Sequence, residues 1–367
     1  MESMANKMKA IIFAGGVGTR LWPLSRKKSP KQFEKVIGDK STLQLAVERL
    51  VPDFNWDDIY ISTGIHYVAQ VKEQLPQIPS ENIIGEPETR DVGPAVGLVM
   101  AHLVKKHPNT PIVILWSDHM IRESQFFIRI LKKCEKIIIN RKDKIIFIGQ
   151  KPRFASQNLG WIKFGVSLNE DEGIHTFKFE NFHYRPDIET AEKFLKNGHY
   201  AWNVGYFVTT PKFLWDLYKL HQPEMFFLLS EISKTIGNSN YHRCLGKNYA
   251  LLPKISFDNA ILEKINVDDA LVISENLGWS DIGAWEALKE ALQVTPDQNV
   301  IQGKVLLTDC RDSLVYNYTD QMVVTIDLNS FLVVNTHDVV LVCHKDSVPK
   351  IKKLVEKLAN SENDHLV

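Results

Sequence analysis

Short, unbroken apolar runs alternate with helix-patterned stretches through the first half of the chain, and few folds accept that alternation. Residues 10–14 (AIIFA), 59–62, 83–84, 112–116 (IVILW) and 144–149 read as strands. Residues 42–50, 67–75 and 94–106 read as helices, the last with Pro94 suited to a first turn. Strands apolar on both sides need cover on both faces. The pattern therefore predicts an α/β, Rossmann-like core around a mostly parallel central sheet.

Beyond Lys151 the spacing changes. Residues 161–168 and 175–182 read as strands, 188–196 as a helix opened by Asp187, and 213–236 as mostly helical. From about Asn299 the chain is dense in strands (305–308, 313–316, 322–326, 331–334 and 339–343) before a closing helix at 348–358. We expect two domains, residues 1–290 and a small β-rich domain at 291–367. The short strands near the end resemble irregular rungs of a solenoid, but their spacing defines no period.

Composition removes several classes of function. The 367 residues carry 44 Lys+Arg against 44 Asp+Glu, so no overall field draws the chain to nucleic acid or an anionic membrane. Cys134, Cys244, Cys310 and Cys343 are scattered without a CxxC pair, which fits a reducing compartment and neither a disulfide framework nor a zinc cluster. The first apolar stretch reaches glycines too soon for a signal peptide, and no run approaches the roughly 18 apolar residues of a membrane span. The expected location is the cytoplasm.

Three local patterns can carry chemistry. Gly15-Gly16-Val17-Gly18-Thr19-Arg20 follows a predicted strand, with Lys31 eleven residues after Arg20. Glycines let successive backbone N–H groups curl around an anion, and the two cations suit phosphate oxygens. The loop is no Walker A, lacking Gly-Lys-Ser/Thr, and Leu21 occupies the third glycine position of a dinucleotide fingerprint. Asp118 follows the strand at 112–116, where a carboxylate suits Mg²⁺ or, equally, a helix N-cap. Asp281, in Gly278-Trp279-Ser280-Asp281-Ile282-Gly283-Ala284-Trp285, has the same two readings, and two carboxylates from separate loops can share one metal on a polyphosphate.

The stretch from Phe13 to Arg26, followed by Pro30-Lys31-Gln32-Phe33, resembles the opening motif of sugar-1-phosphate nucleotidylyltransferases. Leu21-Trp22-Pro23-Leu24-Ser25 and Pro30–Phe33 are similar to mannose-1-phosphate guanylyltransferases in particular. Glu86-Pro87 with Arg90, Ser117-Asp118-His119, Gly160-Trp161-Ile162, Pro186-Asp187, Trp202-Asn203-Val204-Gly205, Ser256-Phe257-Asp258 and the segment from Gly278 to Trp285 follow in that family's order. The resemblance implies that Gly15, Gly16, Gly18, Thr19 and Arg20 cradle the GTP triphosphate, Lys31 contacts phosphate near the α-phosphorus, and Asp118 and Asp281 hold Mg²⁺. It places Pro94 by the guanine and Gly160, Asn203 and Asp258 near the sugar or ribose. It makes residues 1–290 the catalytic domain and residues 291–367 a left-handed β-helix-like domain. The chain stops there, which implies a form without an attached isomerase domain, and the β-rich tail is a plausible homodimer contact.

The implied reaction is GTP plus α-D-mannose 1-phosphate giving GDP-mannose and pyrophosphate. The sugar side departs from the family pattern. Phe182-His183-Tyr184-Arg185-Pro186 stands where Phe-Val-Glu-Lys-Pro is usual, so Arg185 replaces a phosphate-binding Lys and Tyr184 an acceptor for sugar hydroxyls. Asp91-Val92 replaces Asn-Thr, Val204 replaces Ser, and Asn158-Leu159-Gly160-Trp161 is looser than Thr-Gly-Tyr-Gly-Tyr. Two alternatives stand beside the main reading: the same chemistry on another sugar 1-phosphate or nucleotide, and a non-catalytic nucleotide-sugar sensor.

Overall fold

The apolar runs of the first half become strands of one nine-stranded sheet. A computed structural model describes residues 7–367 apart from Val17 and Pro52. Up to residue 281 the strands, in chain order, are β1 (Lys9–Phe13), β2 (Ile59–Gly64), β3 (Ile83–Glu86), β4 (Ile112–Trp116), β5 (His119–Ile121), β6 (Ile145–Gln150), β7 (Gly160–Asp171), β8 (Ile174–His183), β9 (Tyr200–Thr209), β10 (Ala270–Glu275) and β11 (Trp279–Asp281). The sheet order is β3-β2-β1-β4-β9-β6-β10-β8-β7, and only β8 and β9 run against the rest. In β1, Ala10, Ile11 and Ile12 are fully buried, as a strand covered on both faces requires. Strands β5 and β11 form a separate two-stranded ladder.

The chain divides into two compact units. The first takes the described residues through Ala14, Val47–Trp116 and Arg122–Gly278; the second takes Gly15–Ala46, Ser117–Ile121 and Trp279–Val367. These groupings do not follow a single cut at 290/291. The physical reason is hydrophobic: Leu21, Trp22 and Val36 share one buried cluster with Trp285, Leu288, Tyr316 and Leu332. The Trp22 indole donates to the Leu366 carbonyl (2.8 Å), and the Trp285 indole donates to the Trp22 carbonyl (2.9 Å). Arg26 adds a two-armed pair to Asp338 at 2.7 and 2.6 Å.

The tail of the second unit is a coil of parallel rungs closed by one antiparallel strand. Its strands are β12 (Val300–Gln302), β13 (Val305–Thr308), β14 (Leu314–Asn317), β15 (Val323–Ile326), β16 (Phe331–Asn335) and β17 (Val340–His344). Leu314 pairs with Leu332 and Val305 with Val323, eighteen residues apart each time, whereas Val300 pairs with Leu314, fourteen apart. That unequal spacing is why no period is legible in the sequence. Asn335 donates to Asn317, its neighbour on the next rung, at 3.0 Å.

Other boundaries shift for local reasons. The helix expected from Pro94 begins two residues earlier, as Val92–Lys106, because the Asp91 side chain accepts from the Val92 N–H (2.7 Å). Residues 213–236 hold two helices, Pro211–His221 and Pro223–Thr235. Pro223 has no N–H to continue the first helix and pushes Gln222 out of helical geometry (φ −139, ψ 59). The closing helix is Ile351–Leu358, after a 3₁₀ turn at Lys345–Lys350. The helix Ser124–Asn140 and the strand β9 have no counterpart in the sequence reading. Among the described residues no helix is long and apolar enough to cross a membrane.

Candidate active site

The cluster in the second unit is built by a three-rung ladder and a glycine-rich turn. In the ladder Asp281 pairs with His119, and the Ile282 N–H donates to the Asp118 carbonyl (3.3 Å). Two aspartates far apart in sequence therefore sit on adjoining rungs. Neither caps a helix: β5 follows Asp118, and the cap position of helix Trp285–Leu292 is Ala284. The N-cap readings of both residues fall away. His119 packs edge-on against Trp279, with ring centroids 5.1 Å apart, which stiffens the ladder.

Gly18 has φ +61 and opens the 3₁₀ turn Thr19–Leu21 that presents Arg20. A Cβ at Gly18 would come within 2.6 Å of the Lys31 side chain, so glycine is needed both for the turn and for the passage of the lysine stem. Gly15 and Gly16 are exposed, with open space where a side chain would project; Val17 lies outside the described residues. Lys31 is buried and pairs with the Asp118 carboxylate. Burial alone would raise the Asp118 pKa, but Lys31 and His119 outweigh it and hold the carboxyl well below its ordinary range.

Gly283 marks where the cluster converges. A Cβ there would lie 2.7 Å from Asp281 Oδ1, 3.1 Å from an Arg20 Nη atom and 3.1 Å from Lys31 Nζ. Two cations and a carboxylate thus surround one small volume that any side chain at residue 283 would fill. Asp281 Oδ1 is buried and makes no hydrogen bond. A buried carboxylate oxygen without a partner is costly unless a ligand supplies one. Among the described residues no three His, Cys, Asp or Glu side chains gather into a cage. Asp118 and Asp281 fit a hard divalent cation that takes two carboxylates and completes its shell with phosphate and water.

The residues expected near the sugar form a second cluster, in the first unit. Gly160 pairs with Asn203 across β7 and β9. The Asn203 side chain donates to Asp258 Oδ1 (3.0 Å) and accepts from the Gly205 N–H (2.9 Å). Burial pushes the Asp258 carboxyl up to about 6, against the pull of the Asn203 bond and the Arg185 charge. Arg185 adopts φ +47, and its guanidinium lies over the Tyr184 ring, 5.0 Å from the centroid. Burial raises the Tyr184 hydroxyl pKa, and the Arg185 charge pulls against it. Pro94 is buried in the first turn of Val92–Lys106, next to Gly93, whose N–H donates to the Ile255 carbonyl (3.0 Å).

Gly283 is the residue that sequence reasoning passes over. Its signal was a glycine two positions after a strand-end aspartate, but its reason is a convergence no spacing reveals. Leu21 and Trp22, read as a family signature, are core residues of the second unit.

A nucleotidyl transferase family model matches residues 9–298, and a model of the MannoseP isomerase/GMP-like beta-helix domain matches residues 303–358. A mannose-1-phosphate guanylyltransferase of Salmonella muenchen is 32% identical over 372 residues, covering 98% of this chain and 75% of the relative. One of Escherichia coli is 31% identical over 361 residues, covering 97% and 76%. Among solved structures, a Thermus thermophilus protein described as a mannose-1-phosphate geranyltransferase matches with TM-score 0.83 at 27% identity, over 96% of this chain and 99% of that one.

Proposed function

The chain belongs to the nucleotidyl transferase family, and from that premise we propose that it transfers GMP from GTP to α-D-mannose 1-phosphate, giving GDP-mannose and pyrophosphate. The observation that carries the reading is the convergence of Arg20, Lys31 and Asp281 on the space above Gly283, beside Asp118. Charges of both signs around one open volume suit a polyphosphate with its metal. Guanine and mannose are supported by the names of the relatives.

In this mechanism a phosphate oxygen of the sugar phosphate attacks the α-phosphorus in line, forming the new P–O bond as the bond to pyrophosphate breaks. No covalent nucleophile is needed, so the chain contributes position and charge. Arg20 neutralises the leaving pyrophosphate. Lys31, its stem confined under Gly18, presents its ammonium to oxygens near the α-phosphorus. The backbone of Gly15, Gly16, Gly18 and Thr19 lines the triphosphate. Asp118 and Asp281 would hold Mg²⁺, which when bound offsets triphosphate charge. In the first unit, Arg185 takes the sugar phosphate, Gly160, Asn203 and Asp258 lie by sugar or ribose hydroxyls, and Pro94 lies by the base.

The test is pyrophosphate release with Mg²⁺, crossing GTP, ATP, UTP and dTTP against mannose, glucose, fucose and N-acetylglucosamine 1-phosphates. Turnover confined to GTP with mannose 1-phosphate is the expected result; turnover with another pair only, or none, overturns it. The stacked Tyr184–Arg185 pair favours one variant of the reading, the same transfer to a different sugar 1-phosphate. The same panel separates the two.

A further inference from the structure

The first unit contains a cavity of about 790 Å³ that includes none of the residues assigned above. Edge strand β3, helix Val68–Gln74, the last turns of Val92–Lys106 and helix Tyr241–Tyr249 wall it. Its volume falls in the ~300–1,000 Å³ range of small-molecule sites. Val68, Ile84 and Leu245 give it an apolar lining. Inside, His102 Nε2 and the Tyr241 hydroxyl are hydrogen-bonded at 2.8 Å, with the rings edge-on.

The rim is cationic. Lys72, Lys105 and Lys106 line the cavity against a single acid, Glu81. Lys105 and Lys106 lie in the last turn of one helix and Lys72 in the last turn of another, so each also offsets a helix dipole, and the two helix ends bring the three cations to the same cavity. Burial, then Lys106 and Lys105, push the His102 imidazole down to about 4, so at neutral pH it is uncharged and acts with Tyr241 as a polar, orienting pair. An apolar chamber with a few convergent polar groups and a perturbed histidine is the usual make-up of a ligand site.

We propose that this cavity is a second ligand site, taking a small molecule with a planar apolar body and one anionic group. The body fills the space between Ile84 and Leu245, and the anion meets the ammonium groups at the rim. The three exposed ammonium groups make the rim positive and draw an anionic head group to it, and a larger anion would meet Glu81.

The probe is 8-anilinonaphthalene-1-sulfonate, titrated into the full chain by fluorescence with GTP and Mg²⁺ in excess to occupy the reaction site. The expected result is saturable one-to-one binding on the order of 10 µM. Ala69→Trp, which fills the cavity from an exposed helix face, abolishes it. A Lys105→Glu/Lys106→Glu pair weakens it about tenfold or more. Both variants retain wild-type pyrophosphate release, which shows that they fold. Displacement by 2-naphthoate assigns the head group to carboxylates, and displacement by a nucleoside monophosphate assigns it to phosphates. Binding unchanged in both variants, dye already displaced by GTP, or failure of both competitors overturns the proposal. So does a changed sedimentation coefficient in either variant, since the cavity would then be covered by a second copy of the chain.

Discussion

The cluster around Gly283 and the cluster around Asn203 differ in how much of their bonding is already complete. In the second unit Asp281 Oδ1 is buried and unbonded, and Arg20 is exposed at the edge of the space it shares with Lys31. In the first unit Asn203 uses its side chain on both Asp258 and Gly205, and Tyr184 carries Arg185 on its ring. One cluster pairs Lys31 with Asp118 and leaves Asp281 Oδ1 unsatisfied; the other is braced against itself. Residues of the first should act on the chemical step, and residues of the second on binding.

The largest separation comes from the reaction side. Arg20→Ala should lower kcat by about 10²–10³, the scale of losing one preorganised donor, with little change in KM for the sugar phosphate. Asp118→Asn should abolish metal-dependent turnover. Near wild-type rates at low Mg²⁺ for either variant would remove these assignments. Gly283→Ala comes next. Its methyl would sit 2.7 Å from Asp281 Oδ1 and 3.1 Å from both cations, so kcat should fall by roughly tenfold to a hundredfold while the melting temperature holds. A full rate would mean that the open volume plays no part.

On the binding side, Arg185→Ala should raise KM for the sugar phosphate roughly ten- to a hundredfold, as expected for losing a charge-assisted bond of about 1.5–3 kcal/mol, and leave kcat nearly intact. An equal fall in kcat would erase the contrast between the clusters. Tyr184→Phe keeps the ring under the guanidinium and removes only the hydroxyl, so KM should change by less than about threefold.

Asp258 provides a test through stability. Its folded pKa, about 6, lies above the ordinary value of 3.8, so its charge opposes folding at neutral pH. The penalty is fully present above about 6 and disappears as pH falls from 6 towards 4. Asp258→Asn should therefore be more stable than wild type at pH 7, with the difference closing over that window in denaturant titrations. A difference that does not vary with pH would show that the carboxyl is not perturbed.

Much of the molecule was readable in one dimension because the information is local. Residues 112–116 are apolar throughout and form β4, with only the terminal Trp116 not fully enclosed. Asp187 precedes its helix and accepts from the Thr190 N–H at 2.8 Å, as the pattern predicts. Strand β9 escaped because its ten residues mix aromatic, polar and glycine positions, and what makes them a strand is burial between β4 and β6. Pro223 was visible, yet its power to divide one helix into two depends on backbone geometry at Gln222.

Residue types at the two sites, and the order in which they occur, are properties of the chain itself: glycines where the backbone must turn, paired cations, and an aspartate on each of two separate segments. Which of them meet is a matter of tertiary register. The β5–β11 ladder puts Asp118 beside Asp281, the burial of Leu21 and Trp22 ties the glycine turn to the β-rich coil, and only then does Gly283 become the open centre of the cluster. Pairing between distant strands depends on the whole packed fold rather than on near neighbours. The chemistry is therefore written in the sequence, while its geometry is a product of folding.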